Sequence, residues 1–210
     1  MIRHRPAAAL MTLCGLGTAV AGWLTWHTAP ADIGDAGTLP AAVHRTGTGS
    51  PKETSPPVRV RGPAGLDAAV VPVAARRDGT LRLPADLSTG GWWALGARPG
   101  AAAGTVLIAG HVDSREDGLG TFAALHDIPL GARVTVTGAD GTARPYRVTA
   151  RRFYRQQRLP ADLFARTGPP RLALVTCAAP YDSGAGRYER NLVLYAAPAG
   201  PSGGRTPPGP

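Results

Sequence analysis

The sequence predicts a mainly β fold, a closed or nearly closed barrel with short helical connections. Most periodic segments are short, rich in β-branched residues and bounded by Gly or Pro. About eight such segments fit between residues 58 and 197, and antiparallel sheets of this size commonly close into barrels because closure removes exposed edges. There is no internal repeat.

The chain begins with a hydrophobic segment, residues 7–26, preceded by Arg3 and Arg5. About 20 helical residues span about 30 Å, enough to cross a bilayer. Residues 1–27 are therefore predicted to form a cytoplasmic tip and a transmembrane signal anchor, with the remainder of the chain exported. A cleaved signal peptide is the alternative, because Ala29-Pro-Ala31 resembles a cleavage site.

Three further regions follow from composition. Residues 28–57 are rich in Ala, Gly, Thr, Ser and Pro without a sustained period, which predicts a flexible tether. Residues 58–197 form one domain of ordinary size. Residues 198–210 contain mostly Gly and Pro, which predicts a disordered tail.

The predicted strands follow one another with clear turn signals between them. In the first half they cover 66–73, a short edge piece at 81–83, 91–95 and 104–110, of which the last is continuously apolar and should be buried on both faces. In the second half, 134–137 and 146–149 flank a Gly-rich turn as a hairpin, and 171–176 and 191–196 give two more strands. Short helices are predicted at 120–127 and 160–164.

The formal net charge of +9 is carried by arginine, with a dense group at residues 151–158. No nucleic-acid-binding motif accompanies these arginines, so we expect no nucleic-acid partner; attraction to anionic lipid or wall polymers, or a solvated basic face, fits better. Asp113, Glu116 and Asp117 lack the spacing of a calcium loop, and zinc would require more Cys and His. We therefore expect no metal and no cofactor.

Three residues at predicted strand ends carry the chemistry. His111 follows a buried strand in Ala109-Gly-His-Val-Asp, Cys177 ends another in Val175-Thr-Cys, and Arg190 opens a third. Strand ends display catalytic side chains on a rigid scaffold. A Cys–His pair can form a thiolate nucleophile with an acid/base partner, and a guanidinium can stabilise an oxyanion.

Together, Gly-His111-Val-Asp-Ser, Thr-Cys177 and the following arginine resemble the sortases over nearly all of 58–197. The segments Gly120-Thr-Phe-Ala-Ala-Leu125 and Thr176-Cys-Ala-Ala-Pro-Tyr-Asp182 are similar to the class F group of actinobacterial sortases. The resemblance implies an eight-stranded sortase barrel and a cysteine transpeptidase that cleaves an LPXTG-like sorting signal between Thr and Gly.

The resemblance also implies roles and partners. Cys177 would attack the Thr–Gly carbonyl and form a thioacyl-enzyme, His111 would act as acid and base, and an arginine would steady the oxyanion. The partners would be surface proteins with C-terminal sorting signals and a cell-wall or lipid-precursor amine, outside a membrane that residues 7–26 cross.

The identity of the arginine is open between Arg190 and Arg187. Arg190 is preferred because it alternates with Leu192 and Leu194, while Arg187 falls in the predicted loop. Among the supporting residues, Asp113 is predicted to orient the histidine loop and Thr176 to hydrogen-bond near the oxyanion. His126 has no motif around it and is interpreted as structural or exposed.

Two other interpretations compete with a transpeptidase. A papain-like peptidase would place its Cys before its His, the reverse of the order in this chain. A non-catalytic exported β-domain that binds the cell wall would use Cys177 as a buried structural residue. Reactivity of Cys177 in the folded protein separates this last alternative from an enzyme.

Overall fold

A computed structural model describes residues 34–41, 54–76 and 80–200. The predicted tip and anchor at 1–27 lie outside these ranges, as do residues 201–210 of the predicted tail. The choice between an anchor and a cleaved leader therefore stays a prediction. Within the described ranges, no helix has the length and apolar character needed to cross a bilayer.

The described chain consists mainly of β-strands with two short 3-10 helices. The strands are β1 (Ala36–Gly37), β2 (Pro57–Arg61), β3 (Asp67–Val73), β4 (Thr89–Trp93), β5 (Thr105–Ala109), β6 (Asp113–Ser114), β7 (Gly118–Leu119), β8 (Arg133–Gly138), β9 (Ala143–Arg155), β10 (Arg171–Asp182) and β11 (Arg187–Pro198). The helices are η1 (Thr121–His126) and η2 (Ala161–Phe164).

Eight of these strands close into a barrel. Their order is β9-β11-β10-β5-β4-β3-β2-β8, and β8 pairs with β9 to complete the circle. The β3–β4 and β5–β10 pairs are parallel, and the remaining neighbours are antiparallel. The prediction of a mainly β, eight-stranded closed barrel with few helices is confirmed.

The barrel wall separates two hydrophobic clusters. Every residue of β5 is buried, as its continuous apolar sequence predicts. Val106 and Ile108 belong to the larger, interior cluster, whereas Leu107 and Ala109 belong to a second cluster that includes Leu163 of η2. The η2 segment therefore covers the outer face of the wall formed by β5, β10 and β11.

Several boundaries differ from the predictions. Strand β9 extends to Arg155, well beyond the predicted 146–149, and β2 begins at Pro57 where no strand was predicted. The predicted edge piece at 81–83 contains only an isolated bridge between Ala75 and Leu81. Both predicted helices exist, as 3-10 helices.

Part of the predicted tether is paired with the barrel. Strand β1 lies antiparallel to β9 at the edge that β8 leaves open. The Arg152 guanidinium donates hydrogen bonds to the carbonyls of Ala36 and Gly37, and the Asp35 carboxylate accepts one at 2.8 Å from the Phe153 N–H. These contacts fix the position of residues 35–37 against β9.

Candidate active site

The predicted nucleophile lies where two clefts meet. The first, here called the apolar cleft, has a volume of about 830 Å³ and includes Leu81, Leu83, Leu159, Phe164 and Val175 in its lining. The second, the polar cleft, has a volume of about 590 Å³ and includes His111, Asp113, Arg115, Tyr181 and Tyr188. Cys177, Gln156 and Arg187 line both clefts.

Parallel pairing brings the Cys and His segments side by side. Strands β5 and β10 run in the same direction with Ala109 opposite Val175. His111 and Cys177 each lie two residues beyond this pair. Strand β5 has ended before His111, whereas β10 continues to Asp182, so Cys177 lies within its strand and not at a strand end as predicted. His111 and Cys177 accordingly line the polar cleft together.

Two hydrogen bonds hold the Cys and His segments together. The Gly110 N–H donates to the Val175 carbonyl at 3.0 Å, and the buried Thr176 hydroxyl donates to the Gly110 carbonyl at 2.9 Å. A Cβ on Gly110 would lie 2.2 Å from the Phe122 ring, so only glycine fits immediately before His111. Thr176 therefore contacts the backbone of the histidine segment.

The environment of Cys177 favours the neutral thiol over the thiolate. Burial raises the pKa of the Cys177 thiol, and the negative charge of Asp113 raises it further. Cys177 is nevertheless only partly buried and lines both clefts, so a substrate can reach it. Its conversion to a thiolate requires a base close by, and His111 lines the same cleft.

Asp113 links the histidine loop to the β10–β11 connection. The Tyr188 hydroxyl donates a hydrogen bond to the Asp113 carboxylate at 2.5 Å, and this bond raises the pKa of Tyr188 to about 12. Arg115 donates to the Tyr181 hydroxyl at 3.3 Å, and the two tyrosine rings meet edge to face at 5.0 Å. All four residues line the polar cleft.

The two candidate arginines have different surroundings. Asn191 lies opposite Cys177 across β10 and β11, and directly opposed residues share a face of the sheet. Arg190 is the next residue and belongs to the other face, with Leu192 and Leu194 of the interior cluster.

The contacts of the Arg190 side chain agree with that placement. Its Nε donates to the Ala179 carbonyl at 2.5 Å, and its guanidinium carbon lies 5.2 Å from the centre of the Phe153 ring. Arg190 lines neither cleft, whereas Arg187 lines both. The geometry therefore brings Arg187 together with Cys177 and places Arg190 elsewhere.

A buried arginine supports the wall of the apolar cleft. Arg171 donates to the Asp162 carbonyl at 2.9 Å and forms an ion pair with the Asp162 carboxylate at 2.8 Å. Its Nε donates to the Thr105 hydroxyl at 2.9 Å, and its guanidinium lies over the Tyr195 ring. These contacts attach η2, and with it Phe164 in the cleft lining, to the barrel.

Sequence reasoning missed three residues around the thiol. Gln156 lines both clefts because β9 is longer than its alternating pattern indicates. Tyr188 is the partner of Asp113. His126, interpreted as structural or exposed, has its Nε2 atom 3.1 Å from the Cys177 carbonyl oxygen. No local sequence signal marks any of these contacts, because each joins segments far apart in the chain.

The sequence profile of the Sortase domain matches residues 64–199, well over half of the chain. The chain belongs to the sortase family. No curated protein matches it. Within the parts of this sortase that the structure describes, no group of three or more His, Cys, Asp and Glu is placed to hold a metal ion.

Solved sortases share the fold. Streptococcus agalactiae sortase C1, in complex with MTSET, is 18% identical with a TM-score of 0.52, and the match covers 68% of each chain. A lid mutant of Corynebacterium diphtheriae sortase A is 17% identical with a TM-score of 0.51, over 72% of this sortase and 74% of that chain. Membership in the family supports a cysteine transpeptidase that acts on sorting-signal proteins and amine acceptors.

Proposed function

We propose that this protein is a class F sortase that cleaves an LPXTG-like sorting signal between Thr and Gly and transfers the acyl group to a cell-wall or lipid-precursor amine. One observation carries this proposal. Cys177 and His111 each lie two residues beyond the last residue pair of the parallel strands β5 and β10; both line the polar cleft, and Cys177 also lines the apolar cleft. A transferase with two substrates needs such a junction, with the nucleophile accessible from both sides.

The reaction divides into two steps on these residues. His111 takes the thiol proton as the Cys177 sulfur bonds to the Thr carbonyl carbon, the Thr–Gly C–N bond breaks, and His111 gives that proton to the leaving amine. The acceptor amine then attacks the thioester, His111 takes a proton from it, the C–S bond breaks, and the proton returns to the sulfur. The leucine-lined apolar cleft suits the apolar part of the signal, and the polar cleft suits the entry of the amine.

Arg187 is the arginine we propose for substrate and oxyanion contact, in preference to Arg190. Its position in the lining of both clefts supports this role, because a fixed positive charge beside the reacting carbonyl stabilises the oxyanion. The contacts of Arg190 with the Ala179 carbonyl and the Phe153 ring support a structural role.

We further propose that residues 7–26 anchor the enzyme in the cell membrane, with the N-terminus cytoplasmic and the catalytic domain extracellular. The hydrophobic length of this segment and the preceding arginines support the proposal. Surface proteins with C-terminal sorting signals would then reach the clefts from the outer side of the membrane.

The decisive experiment measures cleavage of a fluorogenic LPXTG peptide by the full chain in mild detergent, with and without an added amine. We expect amine-dependent turnover that disappears in Cys177→Ala. Arg187→Ala should lower kcat by at least about 100-fold, the usual cost of removing an oxyanion donor, whereas Arg190→Ala should lower it by less than about tenfold.

Other outcomes would count against specific parts of the proposal. A larger loss in Arg190→Ala than in Arg187→Ala would transfer the oxyanion role to Arg190. An intact peptide with rapid alkylation of Cys177 would indicate a different signal. An intact peptide with an inert Cys177 would favour a non-catalytic wall-binding domain.

A further inference from the structure

The carbonyl of Cys177 faces the side of β10 on which strand β5 has already ended. Along β10 the carbonyls alternate in direction, and the Val175 carbonyl faces β5, where it accepts the Gly110 N–H. The Cys177 carbonyl, two residues on, faces the same side. Strand β5 ends at Ala109 and the chain turns away into the histidine loop, so the regular ladder offers no donor there.

His126 provides the missing donor. Its Nε2 lies 3.1 Å from the Cys177 carbonyl oxygen. Because a carbonyl oxygen only accepts hydrogen bonds, Nε2 must carry the hydrogen. His126 is the last residue of η1, and Phe122 and Leu125 of this helix are buried in the barrel core. A rigid element therefore holds the imidazole against the backbone of the nucleophile.

A second contact holds the end of this helix in place. Arg151 of β9 donates from Nη2 to the carbonyls of Ile128 at 2.7 Å and His126 at 3.3 Å. Its Nε is buried and has no hydrogen-bond partner in the described structure. Although its Nε is unpaired, Arg151 fixes the His126 backbone. Hydrogen bonds therefore connect β9 through His126 to Cys177.

We propose that His126 is a positioning residue for the nucleophile, an inference that rests on the proposed role of Cys177. Its N–H fixes the peptide group of Cys177 and thereby the direction of the sulfur relative to His111. It also offsets the negative end of the carbonyl dipole beside the sulfur, which favours the thiolate. His126 touches neither substrate in this scheme and transfers no proton.

The test compares three substitutions in the full chain. His126→Phe keeps a ring but has no donor, His126→Asn has an amide too short to reach, and His126→Gln places an amide N–H near the position of Nε2. The readouts are the alkylation rate of Cys177 by iodoacetamide, kcat and KM for the peptide, and the melting temperature. Asp127→Asn, on the exposed neighbouring residue, is the control.

We expect His126→Phe and His126→Asn to alkylate and turn over on the order of tenfold more slowly, since small displacements of a reacting atom have large effects on rate. KM should change less than about twofold, and His126→Gln and Asp127→Asn should stay within about threefold of the wild-type rates. If His126→Phe fails to fold, the comparison of Asn with Gln decides.

Wild-type alkylation and kcat in a folded His126→Phe, or equal impairment in Gln and Asn, would overturn the inference. Alkylation does not depend on the peptide. If the wild type leaves the peptide intact but alkylation follows the expected order, the sorting-signal assignment fails and the positioning role stands.

Discussion

At the scale of single residues, the state of the Cys177 proton governs reactivity. Burial raises the pKa of the thiol, and the Asp113 carboxylate adds to this effect. Tyr188 donates a hydrogen bond to the same carboxylate and thereby disperses part of its charge. These surroundings favour the neutral thiol, so formation of the thiolate requires a base nearby.

Removal of the Asp113 charge should make the free thiol more reactive. Asp113→Asn lowers the pKa of Cys177, because the repulsion between carboxylate and thiolate disappears. We expect alkylation by iodoacetamide at pH 8 to accelerate a few-fold. Tyr188→Phe keeps the charge and removes the hydrogen bond, so it should give no acceleration. Slower alkylation in a folded Asp113→Asn protein would show that Asp113 acts mainly on loop geometry.

At the scale of elements, a buried arginine adds to the apolar packing and hydrogen bonds that attach η2 to the barrel. Arg171 is 6% exposed and joins Asp162 of η2 to Thr105 and Tyr195 of the barrel. Phe164 of the same helix packs edge to face on Trp93, with ring centres 5.9 Å apart. The outer wall of the apolar cleft is therefore formed by η2, which packs on the barrel and is not part of the closed sheet.

Arg171→Met should loosen this wall while the barrel stays folded. The substitution removes the contacts of Arg171 with Asp162 and Thr105, although the Thr105 hydroxyl still donates to the Asp162 carbonyl. We expect a loss of about 1 kcal/mol of unfolding free energy. KM for the peptide should rise several-fold, and kcat should fall by a smaller factor. Initial rates measure both constants, and a urea titration measures the free energy of unfolding. Leu95→Ala, an exposed residue that lines neither cleft, serves as a control; an unchanged KM would indicate that η2 does not contact the peptide.

Sequence patterns predicted the elements unevenly, for physical reasons. The strand at 104–110 is apolar throughout because both its faces are covered, and its prediction held. Strand β1 has two residues, too few for any alternation, and its pairing depends on β9 far along the chain. The end of β9 has the arginine-rich sequence of a surface segment, but Arg151 and Arg152 donate to backbone carbonyls of η1 and β1 that lie far away in the chain.

The choice between Arg187 and Arg190 shows what the alternation of side chains along a strand can and cannot predict. The shared face of Arg190, Leu192 and Leu194 was inferred correctly, but alternation does not say which face looks into the clefts. That depends on the register of β10 and β11, where Cys177 opposes Asn191, and on the register shift after Ala178. The motifs around His111 and Cys177 single out these two residues in the sequence, and the structure places both in the lining of the polar cleft.

At the scale of the whole molecule, acid should weaken the barrel through carboxylates held in hydrogen bonds. Hydrogen bonding with Arg59 lowers the pKa of Asp67 to about 2, and the Thr142 backbone N–H does the same for Asp140, also to about 2. A carboxyl whose pKa is lower in the folded state than in the unfolded state stabilises the fold at pH values above the unfolded-state pKa of about 4. This contribution to the free energy of unfolding is lost as the pH falls toward 2.

Asp67→Asn should therefore lower the urea midpoint at pH 6 and have little effect near pH 2, where the wild-type carboxyl is itself becoming neutral. Paired urea titrations at the two pH values measure this difference. Arg59→Gln removes the first hydrogen-bond partner and should show the same convergence. An equal loss at both pH values would assign the effect of Asp67 to packing and not to its charge.

The small strand β1 bears on how this enzyme can be divided. Residues 35–37 satisfy the Arg152 guanidinium and cover part of the β9 edge. A recombinant fragment that starts at Pro57 would leave that edge bare, and a bare edge is a template on which a second molecule can add a strand. A soluble fragment intended to stay monomeric should therefore begin at or before Gly34.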